Sequence, residues 1–173
     1  EQATPLDWKE ASAFLAMQSY PVVMKPRRGQ GSVLVGLARD DEHARRMYDA
    51  LRAATVSLDD EVSGALVVQE FLEGEEWIVD TVSADGEHKV LTLWRYGKGE
   101  ENGVPFCYYC DELMPASGER ERLLIEYATA ALDAIRWRWG PCHLEIKMAR
   151  GKGADGGVGP VLVEINAGRW NGD

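Results

Sequence analysis

The sequence predicts an α+β protein built from two lobes, and three patterns carry that prediction. Short apolar runs with strand-like alternation outnumber the segments whose apolar residues recur at helical spacing. Asp85-Gly86 joins two such runs, which is a strong hairpin signal. Strands that pair as hairpins between isolated helices favour an α+β architecture over repeated βαβ units. The lobes are expected to meet near Gly74, which gives predicted domains of residues 1–73 and 74–173.

Three segments are predicted to be helices. The first begins at Thr4-Pro5-Leu6-Asp7, where Thr4 is the expected N-cap, and runs to about Met17. The second is capped by Asp40 or Asp41, and the third is expected from about Glu119 to Trp137 after Ser117. Each helix has one apolar face to bury; in the second it consists of Ala44, Met47, Tyr48 and Leu51.

The remaining apolar runs are predicted to be strands. In chain order they cover residues 20–25, a run that begins at 33, and residues 65–68, 77–82, 89–96, 142–148 and 160–166. Residues 97–115 are rich in turn-forming residues and are predicted to be irregular.

Composition restricts the classes of partner. The 173 residues carry 19 Lys and Arg against 29 Asp and Glu, a net charge of −10. This balance disfavours nucleic acid or an anionic membrane as the main partner, since both require a basic face. No apolar run has membrane-spanning length and no signal peptide opens the chain, so we expect a cytoplasmic protein. The start at Glu1, without Met, indicates a fragment of a longer protein.

The three cysteines invite a zinc interpretation that the spacing disfavours. Cys107 and Cys110 are followed much later by the adjacent pair Cys142-His143. Neighbouring residues of a strand point to opposite faces, so Cys142 and His143 are not expected to share one ion. Free thiols in a reducing compartment are the preferred interpretation.

A cluster of oxygen ligands is predicted on the last two strands. Glu164 and Asn166 share one strand face, while Val163 and Ile165 point away from it. On the preceding strand, His143, Glu145 and Lys147 form the polar face, which an exposed sheet would also explain.

A symmetric hairpin around residues 149–160 would place these groups together. In that register Glu145 faces Glu164 and His143 faces Asn166. Two opposed glutamates repel each other unless a cation lies between them, and ligands with only oxygen donors suit Mg²⁺. The predicted metal ligands are therefore Glu145, Glu164 and Asn166.

Two further segments are suited to contact a nucleotide. Gly29-Gln30-Gly31-Ser32 offers backbone N–H groups beside Arg27 and Arg28, although it is not a P-loop and an ordinary hairpin turn would look similar. Lys25, held before Pro26, is a candidate phosphate ligand or else a surface lysine. Residues 67–76 leave a buried strand in an extended run that suits an adenine edge, with Glu76 as a ribose acceptor; a solvated acidic loop is the alternative.

Taken in order, these segments resemble the ATP-grasp superfamily. The matching stretches are YPVVMKP, GQGS, VVQEFLEGEEWIV, HLEIKM and GPVLVEIN, which together cover about residues 20–166. LTLWRYGKG, NGVPFCYY and RWGPCHLEIKM are most similar to the branch of L-amino-acid ligases and dipeptide synthetases.

The resemblance implies where ATP and its metal would bind. It implies ATP between the two lobes, Mg²⁺ (or Mn²⁺) on the oxygen ligands named above, and a substrate-recognising N-terminal lobe that would precede Glu1. Lys25 would contact the phosphates beneath a mobile glycine-rich flap. The other implied nucleotide contacts are Gly29, Gly31 and Ser32 in the flap, Gln69 and the backbone of Glu70 and Leu72 at the adenine, and Glu76 at the ribose.

The resemblance also implies the chemistry. A substrate carboxylate takes the γ-phosphoryl group of ATP, and an amine then attacks the acyl phosphate, so the partners are small carboxylates and amines, amino acids above all. Many relatives carry Arg two residues after the metal-binding Asn, where this chain has Gly168 and then Arg169. Arg169 is expected to serve as the catalytic cation. The alternatives are another ATP-grasp chemistry, such as a carboxylase or a peptide-tailoring ligase, and a non-catalytic nucleotide-binding module.

Overall fold

The computed structural model describes residues 1–27, 32–56, 65–102 and 104–170. The chain forms two compact units. Unit 1 comprises Glu1–Phe71 with Glu100–Phe106, and unit 2 comprises Leu72–Gly99 with Cys107–Asp173. The lobe boundaries at residues 73 and 74 stay a prediction. In the described part of the chain, no helix combines the length and apolar character that crossing a membrane requires.

The described residues of unit 1 form a four-stranded sheet and two helices. Its strand order is β1-β4-β2-β3, and the described pairings are antiparallel. Apolar side chains of the sheet and of both helices form one core, which includes Phe14, Met24, Tyr48 and Val68. The elements are β1 (Gln2–Ala3), α1 (Trp8–Leu15), β2 (Val22–Pro26), β3 (Gly36–Ala38), α2 (Asp41–Val56) and β4 (Leu66–Glu70).

The first helix starts later than its sequence predicts. Asp7, not Thr4, is the N-cap, because its carboxylate accepts a hydrogen bond from the Glu10 backbone N–H at 2.9 Å. The Glu10 carboxylate in turn accepts from the backbone N–H of Leu6 at 2.8 Å. The first bond satisfies one of the N–H groups that a helix leaves unpaired at its start, and the second ties the preceding chain to the first helical turn, so the helix begins at Trp8. It ends at Leu15, before the predicted limit at Met17.

Unit 2 is built on a five-stranded sheet with the order β7-β6-β5-β8-β9. One helix, α3 (Glu119–Ala134), follows the first three strands in sequence. It ends before the predicted limit at Trp137, and its N-cap is Gly118 rather than Ser117. The strands are β5 (Gly74–Ala84), β6 (Glu87–Glu101), β7 (Val104–Met114), β8 (Gly140–Arg150) and β9 (Val158–Ala167).

The prediction that residues 97–115 are irregular is wrong. Residues 97–101 continue β6, and most of the remainder forms β7. β7 lies at an edge of the sheet and many of its side chains are exposed, so no apolar alternation marks it in the sequence. The prediction of a strand that begins at Val33 is also wrong, because residues 32–34 form a turn and β3 starts at Gly36.

The two faces of the unit 2 sheet differ in chemistry. One face packs against α3 in a core that contains Trp77, Leu124, Leu132, Leu144 and Ile146. Alternation sends the intervening side chains to the opposite face. That face carries Glu76 and Asp80 from β5, His143, Glu145 and Lys147 from β8, and Glu164 and Asn166 from β9, and we call it the polar face.

Candidate functional site

The predicted pairing of the two glutamates is confirmed. Glu145 of β8 is the direct cross-strand partner of Glu164 on β9, and His143 is the partner of Asn166. Directly opposed residues of an antiparallel pair have Cβ atoms about 5 Å apart, and like charges at that spacing are destabilising. The hairpin therefore brings two carboxylates and a carboxamide to adjacent positions on the polar face.

The pairing does not continue symmetrically, because β9 contains a bulge. Ile146 pairs with Leu162 instead of Val163, which leaves Val163 as an extra residue next to Glu164. Leu162 and Ile165 consequently pack against the core, whereas Val163 was predicted to share that face with Ile165. The bulge lets β9 place Leu162 in the core and still face Glu164 toward Glu145, which strict alternation does not allow.

The donors at this position fit a hard divalent cation. Two carboxylates and one carboxamide supply only oxygen, and Mg²⁺ is typically held by one or two carboxylates while it keeps water and phosphate oxygens. Within the described ranges, no three or more His, Cys, Asp or Glu residues are grouped to hold a metal by themselves. Cys107, Cys110 and Cys142 are free thiols, and Cys142 lies in the core.

His143 lies beside the carboxylate pair in a buried polar network. Its Nδ1 is 2.9 Å from Oδ1 of Asp80, and its Nε2 is 3.6 Å from Oε1 of Glu145. Asp80 also accepts hydrogen bonds from the Thr92 hydroxyl at 2.9 Å and from the Trp94 indole N–H at 3.2 Å. Burial lowers the pKa of His143, but the hydrogen bonds and charges of Asp80 and Glu145 outweigh it and raise this pKa to about 9.

This shift predicts a pH dependence of the metal-free protein. The folded pKa of His143, about 9, lies above its ordinary value of 6.5, so the folded state holds the proton more tightly. The stabilisation is complete below pH 6.5 and is lost as pH rises through 9; it amounts to roughly 3 kcal/mol at most. Urea unfolding between pH 6 and 9.5 should show this fall, and His143→Gln should flatten it. An equal slope in that variant would contradict the assignment.

A second charged cluster lies on the same face around Glu76. This carboxylate is 6% exposed, forms an ion pair with Lys98 Nζ, and is 3.9 Å from Lys147 Nζ. Lys147 also donates a hydrogen bond to the Leu72 carbonyl at 3.0 Å. The residues predicted at the ribose and adenine, Glu76 and Leu72, are thus linked through one lysine, while their ligand roles stay predictions.

Lys98 is the cation that sequence analysis did not single out. Its Nζ lies 4.7 Å from the ring centre of Tyr96 and 4.2 Å from that of Tyr108. Burial lowers the pKa of Lys98, but the charges of Glu76 and Glu145 outweigh it and raise this pKa overall. Burial lowers the pKa of Lys147, and the nearby Lys98 lowers it further. The only sequence signal for Lys98 was its place in the stretch LTLWRYGKG.

Arg169, the predicted catalytic cation, is placed beside the candidate metal ligands. Its Nη2 donates a hydrogen bond to the side-chain oxygen of Asn166 at 3.1 Å. The polar face of unit 2 therefore combines candidate oxygen ligands for a metal with cationic groups from Lys98, Lys147 and Arg169.

The residues predicted to bind the nucleotide from unit 1 occupy its sheet and one turn. Lys25 lies in the central strand β2, opposite Val67 of β4. The Gln69 side chain donates a hydrogen bond to Gln2 at 2.7 Å. Ser32 has a φ of 58° in a turn where its carbonyl accepts from the Val35 N–H at 3.1 Å. Glu70 ends β4, Gly29 and Gly31 lie outside the described residues, and the ligand roles of all six residues stay predictions.

Comparison with known proteins identifies the family. Residues 18–173 match the family model described as "ATP-grasp domain". The chain belongs to the ATP-grasp family. This agrees with the ordered motifs of the sequence and with two sheet-based units of which one carries the paired glutamates.

Two relatives of this ATP-grasp chain are named as a synthase and as a ligase. Dapdiamide A synthase of Enterobacter agglomerans is 29% identical over 148 residues, which are 86% of this chain and 33% of that protein. The crystal structure of an L-amino acid ligase from Bacillus licheniformis is 25% identical with a TM-score of 0.71, covering 97% of this chain and 38% of that one. The chain thus spans 33% of the first relative and 38% of the second.

Other ATP-grasp structures share the fold at lower identity. The biotin carboxylase domain of the Hydrogenobacter thermophilus 2-oxoglutarate carboxylase, solved with MgADP, ADP and bicarbonate, superposes with a TM-score of 0.70 at 16% identity. It covers 96% of this chain and 35% of that chain. At this identity the likeness shows the fold alone.

Proposed function

We propose that this chain is the ATP-grasp core of an ATP-dependent, ADP-forming carboxylate–amine ligase that joins amino acids or similar small molecules. The names of dapdiamide A synthase and of the L-amino acid ligase support this substrate class. ATP-grasp ligases generally use ATP with Mg²⁺, and we assign both to this chain, with Mn²⁺ as an alternative metal. Because ATP is an intracellular cosubstrate, we place the activity in the cytoplasm.

The observation that carries this proposal is the opposed pair of Glu145 and Glu164. Two directly opposed carboxylates offer oxygen donors from two strands to one divalent cation, and this arrangement supports a role of the pair in binding metal. Asn166 supplies a further oxygen at the next position on the same face. Bound there, Mg²⁺ would neutralise charge on the phosphates of ATP.

The proposed reaction has two steps. A carboxylate oxygen of the first substrate attacks the γ-phosphorus, the bond to the β-phosphate oxygen breaks, and ADP leaves. The amine nitrogen of the second substrate then attacks the acyl carbon, phosphate leaves, and the nitrogen loses a proton to give the amide. Both steps develop negative charge on oxygen, which Arg169 and Lys98 are suited to stabilise.

Two alternatives use the same site. A carboxylase would activate bicarbonate instead of an organic acid. This alternative is considered because the chain shares its fold with a biotin carboxylase domain. A non-catalytic module would bind nucleotide without turnover. The presence of Glu145, Glu164 and Asn166 favours an enzyme, because nucleotide binding alone has less need of a full set of metal ligands.

The test is product analysis with the full-length protein. Supplied with ATP, Mg²⁺ and pairs of amino acids, it should release ADP and phosphate in equal amounts with an amide product identified by mass spectrometry. EDTA should abolish the release and sharply weaken binding of a nonhydrolysable ATP analogue in calorimetry. Formation of AMP and pyrophosphate would overturn the proposal, as would bicarbonate-dependent ADP release without an amine, or ATP binding without any turnover.

A further inference from the structure

The chain makes a defined turn after β9, directly beyond the candidate metal ligand Asn166. Gly168 has a φ of +90°, and its backbone N–H donates a hydrogen bond to the Pro141 carbonyl at 2.9 Å. A Cβ at this position would meet no atom within 4 Å, so glycine is required by the backbone conformation and not by lack of space. The turn is therefore bonded to the start of β8.

A second bond holds the chain on the other side of Arg169. The indole N–H of Trp170 donates to the Thr81 carbonyl at 2.7 Å. The pairing of β5 with β6 changes register between Asp80 and Thr81, and bulges leave backbone groups outside the regular ladder. The Trp170 indole thus donates a hydrogen bond to the backbone of the central strand β5 next to this change of register, one residue from Asp80.

Arg169 lies between Gly168 and Trp170, whose bonds determine the side of the sheet toward which its side chain points. Asn166 faces the polar side of the sheet, so a straight continuation of β9 would point Arg169, three residues later, to the opposite side. In the structure its guanidinium instead donates to the Asn166 side chain at 3.1 Å. The turn at Gly168 and the Trp170 bond reverse the direction that alternation would impose.

We propose that Trp170 is a positioning residue, whose indole bond to the Thr81 carbonyl holds the Arg169 guanidinium on the polar face. The inference rests on the proposed ligase function, in which Arg169 stabilises charge on the reacting oxygens. Trp170 acts through Arg169, so its loss should slow the chemical step and leave nucleotide binding intact.

The activity test uses Trp170→Phe in the full-length protein, which keeps an aromatic ring and removes the N–H donor. A lost hydrogen bond of ordinary strength should lower kcat about tenfold, with the Kd for a nonhydrolysable Mg²⁺–ATP analogue within about twofold of wild type. Arg169→Met should lower kcat further, and adding Trp170→Phe to it should have no additional effect. Trp139→Phe, at an exposed tryptophan, is the matched control and should be unchanged.

A second readout does not depend on activity. The Arg169 Nε–H resonance, assigned by its loss in Arg169→Met, should exchange with solvent several-fold faster in Trp170→Phe than in wild type, with the melting temperature nearly unchanged. Equal exchange, wild-type kcat in Trp170→Phe, or a multiplicative loss in the double variant would overturn the inference. If wild type forms no amide but the exchange difference is present, the proposed function fails and the positioning role stands.

Discussion

Replacing Glu164 with Gln is expected to lower kcat by at least about 100-fold while the fold remains intact. The substitution keeps the side-chain size and one oxygen donor, but it removes a negative charge that would balance the metal opposite Glu145. Misplaced metal charge in a phosphoryl-transfer site costs on the order of 10²-fold in rate or more. Steady-state ADP release with Mg²⁺ and the amino-acid pair that wild type uses is the measurement.

The same variant distinguishes two roles for the pair of Glu145 and Glu164, metal binding and support of the fold. In the metal-free protein Glu164→Gln removes the repulsion with Glu145, so the melting temperature should not fall. Asn166→Ala should be milder in rate, because it removes a neutral ligand. Glu87→Gln, the same change at an exposed position of β6, should match wild type. If Glu164→Gln fails to fold, the pair has a structural role. If this variant turns over ATP at the wild-type rate, the metal does not bind at Glu164.

Replacing Glu76 with Gln is expected to cost about 3 kcal/mol of unfolding free energy. Breaking a buried ion pair on one side typically costs 3–5 kcal/mol, because the remaining charge stays buried without compensation. Here the change leaves the ammonium groups of Lys98 and Lys147 close together without the carboxylate that both approach. Urea denaturation of the metal-free and nucleotide-free protein measures the loss directly.

The controls for Glu76→Gln use matched chemistry. Glu42→Gln breaks the exposed i,i+4 pair with Arg46 and should cost less than about 0.5 kcal/mol. Adding Lys98→Met to Glu76→Gln should recover part of the loss, since it removes the main uncompensated charge. If Glu76→Gln loses no more unfolding free energy than Glu42→Gln, the ion pairs of Glu76 do not stabilise the fold.

The placement of the carboxylates was determined by local pattern. Alternation along β8 and β9 assigns Glu145, Glu164 and Asn166 to their faces, and a hairpin of nearly symmetric length sets the pairing. The oxygen character of these side chains then indicates the class of metal. The prediction of the pairing succeeds because it involves two strands joined by a single connection.

Other features were decided only by the tertiary structure. The bulge at Val163 depends on the need of Leu162 to reach a core built with α3, which no local pattern records. β7 could not be recognised because an edge strand with exposed side chains lacks apolar alternation. Helix α1 starts at Trp8 because the Asp7 carboxylate accepts from the Glu10 N–H, so Asp7 and not Thr4 serves as the N-cap.

The sequence by itself determined the family and the shared face of the candidate oxygen ligands Glu145, Glu164 and Asn166, since motifs and alternation are local properties of the chain. Tertiary structure alone decided which cations join these ligands. Lys98 reaches Glu76 across two paired strands, and Trp170 reaches the Thr81 carbonyl across 89 positions of sequence. Those contacts depend on register shifts and on a turn at Gly168, and their energies come from burying charges and donors that are remote along the chain.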